Sequence, residues 1–262
     1  MAAAFLLAAL ALGPLVADTS GTVGPFYTAD SIANTAASVA GFYAPDTFIT
    51  IYGQNLAYVT RQITTDDIHG GVLPTVLIGT GVRVLVNQIE ANIYYVSPTQ
   101  VNLLVPPLLV AGPATVQLLV DGLAGPRVNI ALAATAPALF QMDPRTVVAT
   151  HADASVVTQA APARGGEVIV LYASGLGRTV PPAIKDQIPK AAAPLAQMSD
   201  FKVLLNGVAV DPARVSYAGV APGYAGLFQI NLKLPDNAAF NPEIRIGYGD
   251  QLSPTQRFLP IQ

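Results

Sequence analysis

Phe48-Ile-Thr-Ile-Tyr-Gly-Gln-Asn-Leu56 and Val168-Ile-Val-Leu-Tyr-Ala-Ser-Gly-Leu176 are two versions of one pattern, an apolar, β-rich run that closes in a turn. Downstream of the first, Val82-Arg-Val-Leu-Val-Asn87 returns after the second as Phe201-Lys-Val-Leu-Leu-Asn206. Tyr95-Val-Ser-Pro-Thr-Gln-Val-Asn-Leu-Leu-Val-Pro106 returns as Val220-Ala-Pro-Gly-Tyr-Ala-Gly-Leu-Phe-Gln-Ile-Asn-Leu-Lys-Leu-Pro235. Three blocks in the same order, at a spacing of roughly 120 to 130 residues, imply a duplicated module of about a hundred residues, the size of a small β-sandwich.

The stretches between the blocks carry period-two alternation and turn signals, and no helical periodicity of any length. In the first module (41–134) strands are predicted over 47–52, 82–86, 91–96, 100–105, 114–120 and 126–133. In the second (162–262) they are predicted over 167–172, 202–205, 213–217, 227–233, 243–248 and 256–261. Residues 61–80 and 181–194 read as long loops at matching places in the two copies. Residues 135–161 read as a linker, with 138–140 and 147–149 as a short strand pair. The expectation is an all-β chain of two tandem sandwiches.

Of the 262 residues 52% are hydrophobic and only 11% charged, against about 25% charged in an average soluble protein. Thin surface charge weakens like-charge repulsion and favours association. A formal net charge of −3 with no Lys/Arg cluster argues against nucleic acid. Cysteine is absent, which removes disulfides, thiolate nucleophiles and Cys-based metal sites. Ala2–Ala17 is an uninterrupted apolar run, too short for a membrane span and the length of a signal-peptide core, although no Lys or Arg precedes it. It reads as a cleaved export signal or as a retained segment, either a membrane anchor or a strand donated to a neighbouring subunit. Residues 18–40 read as a linker or lead-in.

Ile51-Tyr-Gly-Gln-Asn-Leu56, Leu171-Tyr-Ala-Ser-Gly-Leu-Gly177, Lys202-Val-Leu-Leu-Asn-Gly207 and Tyr95-Val-Ser-Pro-Thr-Gln-Val-Asn102 resemble a family of secreted modules abundant in acidobacterial proteins. The strand pattern also resembles IPT/TIG immunoglobulin-like domains. The resemblance covers about residues 41–262. It implies an immunoglobulin-like fold and export from a bacterial cell, and supplies no catalytic residues.

Each motif also has a structural reading. Gly53 and Gly175 lie just past strand ends, where a positive φ or close backbone approach is expected. Asn206-Gly207 is a two-residue hairpin signal, from which Asn87-Gln88 departs. Gln100 and Gln229, each two residues before an Asn, are placed to satisfy turn backbone groups, and Pro98 and Pro222 sit in the preceding turn.

Chemistry-bearing residues are sparse. Ser174 in Tyr-Ala-Ser-Gly-Leu-Gly superficially suggests a nucleophile elbow, but that motif needs Gly at position 172, where Tyr stands. The two histidines, His69 and His151, lack framing motifs and read as loop residues. Asp66-Asp67 lacks the dense acidic spacing of a calcium loop, as do Asp143 and Asp153 near the junction. No phosphate or dinucleotide fingerprint is present. Tyr94-Tyr95 occupy successive strand positions, so one must face away from its own core. Tyr217 and Tyr224 flank a Gly/Pro-rich turn, and packing is the expected role of these rings ahead of sugar stacking.

The sequence therefore predicts a non-enzymatic, exported cell-surface or extracellular protein with a structural or adhesive role and no cofactor or metal. Expected partners are further copies of the chain, through edge strands or the N-terminal segment, or envelope and matrix components. A carbohydrate- or envelope-binding module is the alternative, and a hydrolase using Ser174 a distant third. Membrane contact is expected only through a retained N-terminal segment.

Overall fold

The computed structural model describes residues 24–262, so the apolar run Ala2–Ala17 and its export, anchor and donated-strand readings lie outside the described residues. The first half carries β1 (Ile32–Asn34), β2 (Val39–Ala40), β3 (Phe48–Tyr52), β4 (Arg61–Gln62), β5 (Val82–Val86), β6 (Ile89–Glu90), β7 (Asn92–Ser97), β8 (Gln100–Leu104), β9 (Gly112–Val120), β10 (Leu123–Ala124) and β11 (Val128–Leu132). The second half carries β12 (Ala138–Leu139), β13 (Ala149–His151), β14 (Val168–Ser174), β15 (Ala193–Pro194), β16 (Phe201–Leu205), β17 (Val208–Ala209), β18 (Val215–Val220), β19 (Phe228–Lys233), β20 (Ile244–Tyr248) and β21 (Gln251–Leu252).

The two halves share one topology. One sheet runs β2-β1-β3-β8-β7-β4, and its counterpart runs β12-β14-β19-β18-β15, with β13 also on β14. The facing sheets run β10-β9-β5-β6, with β11 also on β9, and β21-β20-β16-β17. Register matches as well: Ile51 lies opposite Val101 where Leu171 lies opposite Ile230. Even the irregularity is copied, with a bulge between Ile93 and Tyr95 in β7 and between Val215 and Tyr217 in β18. The chain is all-β, two immunoglobulin-like sandwiches in tandem.

Alternation builds each core. Val82, Val84 and Val86 of β5 meet Ile49, Ile51 and Leu103 from the opposite sheet. Ile169, Leu171 and Phe228 meet Val203, Ile244 and Ile246 in the second sandwich. In β3, however, four of five residues are buried, because its outer face is covered too. A third apolar cluster lies there, made of Phe48, Tyr94 and Leu104 from the first half with Phe140, Val148 and Leu227 from the second. The Phe48 ring stands edge-on to Tyr94 at 5.0 Å and to Phe140 at 6.3 Å.

Several expectations change in detail. Part of the lead-in is sheet: β1 and β2 lie within 18–40, and β1 pairs with β3. Both strands of the 135–161 segment pair with β14. Residues 256–261 form isolated bridges instead of a strand, because Gln256 takes φ +59° and Pro260 has no N–H for a ladder. The two long loops lie between equivalent strands but on opposite sides of the edge strand, 63–81 following β4 and 175–192 preceding β15.

The repeated polar residues acquire specific roles. Asn87 and Asn206 both open hairpins with two successive positive φ values, 49° and 65° at Asn87-Gln88 and 49° and 77° at Asn206-Gly207. The Asn87 carboxamide accepts the Thr115 N–H at 2.8 Å, and Asn206 accepts that of Glu243 at 2.9 Å, tying each turn to the next strand. Gln100 donates to Asn102 at 2.9 Å and Gln229 to Asn231 at 2.7 Å. The Gln-x-Asn pairs thus bond to each other along one strand face, not to turn backbone. Gly53 is required by close approach, since a Cβ there would sit 2.3 Å from the Phe26 carbonyl oxygen. Gly175 is required twice over, by φ +74° and by the Ala136 carbonyl oxygen, which lies 2.1 Å from where a Cβ would stand.

Candidate functional site

The two sandwiches meet along a seam of mixed bonds. Ser174, at the end of β14, is fully buried; its Oγ accepts the Phe48 N–H at 3.2 Å and donates to the Gly226 carbonyl at 3.3 Å. Nearby, Gln141 donates to the Ala36 carbonyl at 2.8 Å. The two long loops pair with each other: Leu73 N–H donates to the Asp186 carbonyl at 2.7 Å and Ile188 N–H to the Gly71 carbonyl at 2.9 Å. Asn92 reinforces the crossing by donating to the Asp186 carboxylate at 2.9 Å.

A two-lobed cleft runs between the second long loop and the Asp46 and Pro107 segments of the first sandwich. One lobe, of about 370 Å³, lies against Leu73, Leu104, Ile184 and Lys190. The other, of about 630 Å³, lies against Leu109, Leu176, Arg178 and Tyr248. These volumes fall in the range of small-ligand pockets. Asp46, Pro107, Thr179, Pro182 and Ala183 border both lobes. Leu108, Val110 and Ile184 leave apolar side chains exposed at the rim.

Asp46 is the unusual member. It is 7% exposed, and no hydrogen bond to its carboxylate is formed among the described residues. Burial alone pushes its pKa from 3.8 up to about 7. Tyr94 lies close enough that the Asp46 charge adds to burial in raising the phenol.

The residues singled out in the sequence do not converge. Ser174 is held by backbone groups and faces no general base, so the nucleophile reading is corrected: the strand end is a buried seam, not an exposed elbow. His69 is exposed in the first long loop. His151 instead bonds through Nδ1 to Glu167 and through Nε2 to the Ala161 carbonyl. The Glu167 hydrogen bond raises its pKa above 6.5, opposed by burial. Asp67 is buried and spends its carboxylate on Thr64 N–H, the Thr64 hydroxyl and Arg61; these outweigh burial and lower its pKa. Asp66 is exposed. Asp143 and Asp153 each cap their own turn, on Arg145 and Ser155. Among the described residues no three His, Asp or Glu side chains come together as a metal site requires, and no helix is long and apolar enough to cross a membrane.

Of the tyrosines, Tyr94 faces away from its own core into the third cluster. Tyr217 is tied down by donating to the Val220 carbonyl at 2.7 Å. Tyr224 is exposed. Sequence reasoning missed Asp46, whose only signal is a Pro-Asp pair immediately before a β-strand.

No family model matches the chain, and no curated protein matches it. Solved structures with some likeness include the surface glycan-binding protein PbSGBP-B from Prevotella bryantii, at 12% identity over 90% of this chain and 41% of that one, with a TM-score of 0.28. Another is SGBP-B of the Bacteroides ovatus mixed-linkage glucan utilization locus, in complex with a mixed-linkage heptasaccharide, at 11% identity over 85% and 43%, with a TM-score of 0.33. The tandem Ig repeats of Dlar give 10% identity over 92% and 96%, with a TM-score of 0.21. The chain spans less than half the length of the first two. At these values the likeness assigns neither family nor ligand.

Proposed function

We propose that this chain is a non-enzymatic protein exported to the bacterial cell surface, where its two sandwiches act as one rigid adhesive or structural unit. In this reading the modules are larger than the repeat suggests, running from about residue 25 to 134 and from 135 to 262, and belong with IPT/TIG-like domains. The observation that supports it is the junction. A third apolar core, the Ser174 bridge and the paired loops leave no free linker between the sandwiches. Such a joint transmits force and fixes orientation, which suits an adhesive or load-bearing role.

Self-association through edge strands fits the structure less well. β2, β4, β6, β15, β17 and β21 are two-residue strands at sheet margins, the device that blunts edge pairing, and the longer margin strands are the five-residue β11 on β9 and the three-residue β13 on β14. Association through the N-terminal apolar segment is therefore the version to test. The informative truncation removes residues 1–23, because cutting to residue 40 would also strip β1 and β2 from the first sheet.

Protease shaving of intact source cells, followed by an attachment assay on cells lacking the protein, tests the proposal. Recovery in the shaved fraction with loss of attachment is expected; confinement to the cell interior would overturn it. One observation favours the carbohydrate reading: Phe26, Tyr52 and Tyr58 are all exposed, and Phe26 bridges to Gln54 between the two tyrosines. Saturable glycan-array binding abolished by Tyr58→Ala would promote it.

A further inference from the structure

A nearly buried carboxylate without a donor from the protein destabilises a fold, and position 46 does not demand one. Its backbone sits at φ +60°, a conformation that Asn or Gly adopts without bringing a charge. Among the described residues no cation pairs with Asp46. Lys185 pairs with Asp186, while Lys190 and Arg178 stand exposed at the two outer rims of the cleft. The Asp186 carboxylate is taken by Lys185 and Asn92, and the Tyr248 hydroxyl by the Leu176 carbonyl. Tyr94, the remaining titratable neighbour, stays a neutral phenol. Leu104, Pro107, Pro182 and Ile184 give the lobe that Asp46 borders an aliphatic wall.

We propose that this cleft binds an aliphatic primary ammonium, with its charged head on the Asp46 carboxylate and its hydrocarbon stem along Leu104, Pro107 and Ile184. The inference goes beyond the surface-protein reading and stands without it. An ammonium supplies three donors to a carboxylate that has none from the protein, and the stem removes apolar wall from water. The ligand requires the ionised acid. Because burial leaves Asp46 partly protonated near neutral pH, binding displaces a proton and strengthens as pH rises through about 7. Lys190 and Arg178 at the rims disfavour a second positive charge, so a monoamine binds better than a diamine of the same length.

Calorimetric titration of the full chain with n-hexylammonium, n-hexanol, 1,6-diaminohexane and an N-acetylated peptide bearing one lysine tests this. Saturable n-hexylammonium binding is expected at pH 8, about tenfold weaker at pH 6, as the ionised fraction of a group with pKa near 7 dictates. Asp46→Asn is expected to weaken it at least tenfold, and n-hexanol to bind at least tenfold more weakly. Tighter binding of the free amine identifies a small molecule as the source of the ammonium, and tighter binding of the peptide a lysine side chain. No ammonium binding at pH 8, equal binding of the alcohol, or binding indifferent to Asp46→Asn would overturn the proposal. Should Asp46→Asn fail to fold, proton release from the wild-type chain, read in two buffers of different ionisation enthalpy, decides instead. Cell-surface shaving judges the surface-protein reading separately.

Discussion

The hydroxyl of Ser174 lies 3.2 Å from the backbone nitrogen of Phe48, so a side chain of the second sandwich satisfies a strand donor of the first. The same hydroxyl donates to Gly226, which makes one atom common to both sandwiches and to the inserted β18–β19 loop.

Replacing Ser174 with Ala leaves a buried donor and a buried acceptor without partners, at a cost of about 1–3 kcal/mol. Denaturant unfolding should show a lower midpoint. Valine, which adds bulk without a hydrogen bond, should be worse than alanine. Any esterase activity in a preparation should survive Ser174→Ala unchanged.

The paired hairpins provide their own control. Gln88 holds φ +65° where the second copy has Gly207, a conformation that costs a side-chain-bearing residue about 1–2 kcal/mol. Gln88→Gly relieves that strain but loosens the unfolded chain by roughly 0.4–1 kcal/mol, so a small net stabilisation is expected. Gly207→Gln should destabilise by a similar amount. Urea midpoints of the two variants moving in opposite directions would verify the reading.

Stability should fall as pH rises from about 4 to about 7, because Asp46 is held protonated in the fold and ionises more readily when unfolded. The stabilisation is complete below the unfolded pKa of 3.8 and lost once pH passes the folded value. At 1.36 kcal/mol per unit the effect reaches about 4 kcal/mol at most. Asp46→Asn should flatten this part of the profile and melt higher than wild type at pH 8. Melting curves from pH 4 to 8 measure both.

His151 acts in a later window. Its folded pKa is raised, so its contribution is fully present below 6.5 and lost as pH rises through the folded value. Proton NMR titration should place the His151 ring above the ordinary histidine range, and Glu167→Gln should bring it back down. An unshifted His151 midpoint in wild type would remove Glu167 as its partner.

What the sequence disclosed was whatever each sandwich does for itself. Ile51 and Leu171 announce their strands, and Asn87 and Asn206 their turns, because alternation and turn chemistry are local. What it concealed depends on one copy touching the other. Ser174 reads as a candidate nucleophile because nothing near it in the chain reveals that Phe48 is its partner. Tyr94 reads as one of two consecutive strand tyrosines until the bulge turns it into the seam. Asp46 stands out only once the loops that bury it are folded over it. One signal of the junction was legible in the chain: the repeat spacing lengthens before Leu227, and most of that added length is the loop between β18 and β19 that carries Gly226.

Gly226 holds φ +72° with Leu104 2.3 Å from where a Cβ would stand, so the loop that carries it fits against the first sandwich at glycine clearance. The first copy has only the short Ser97–Gln100 turn in the corresponding place. The two sandwiches are therefore not interchangeable, one being the donor of this contact and the other its acceptor. Swapping their order along the chain would leave both surfaces unmatched, and lengthening such a protein by further duplication would have to add sandwiches two at a time.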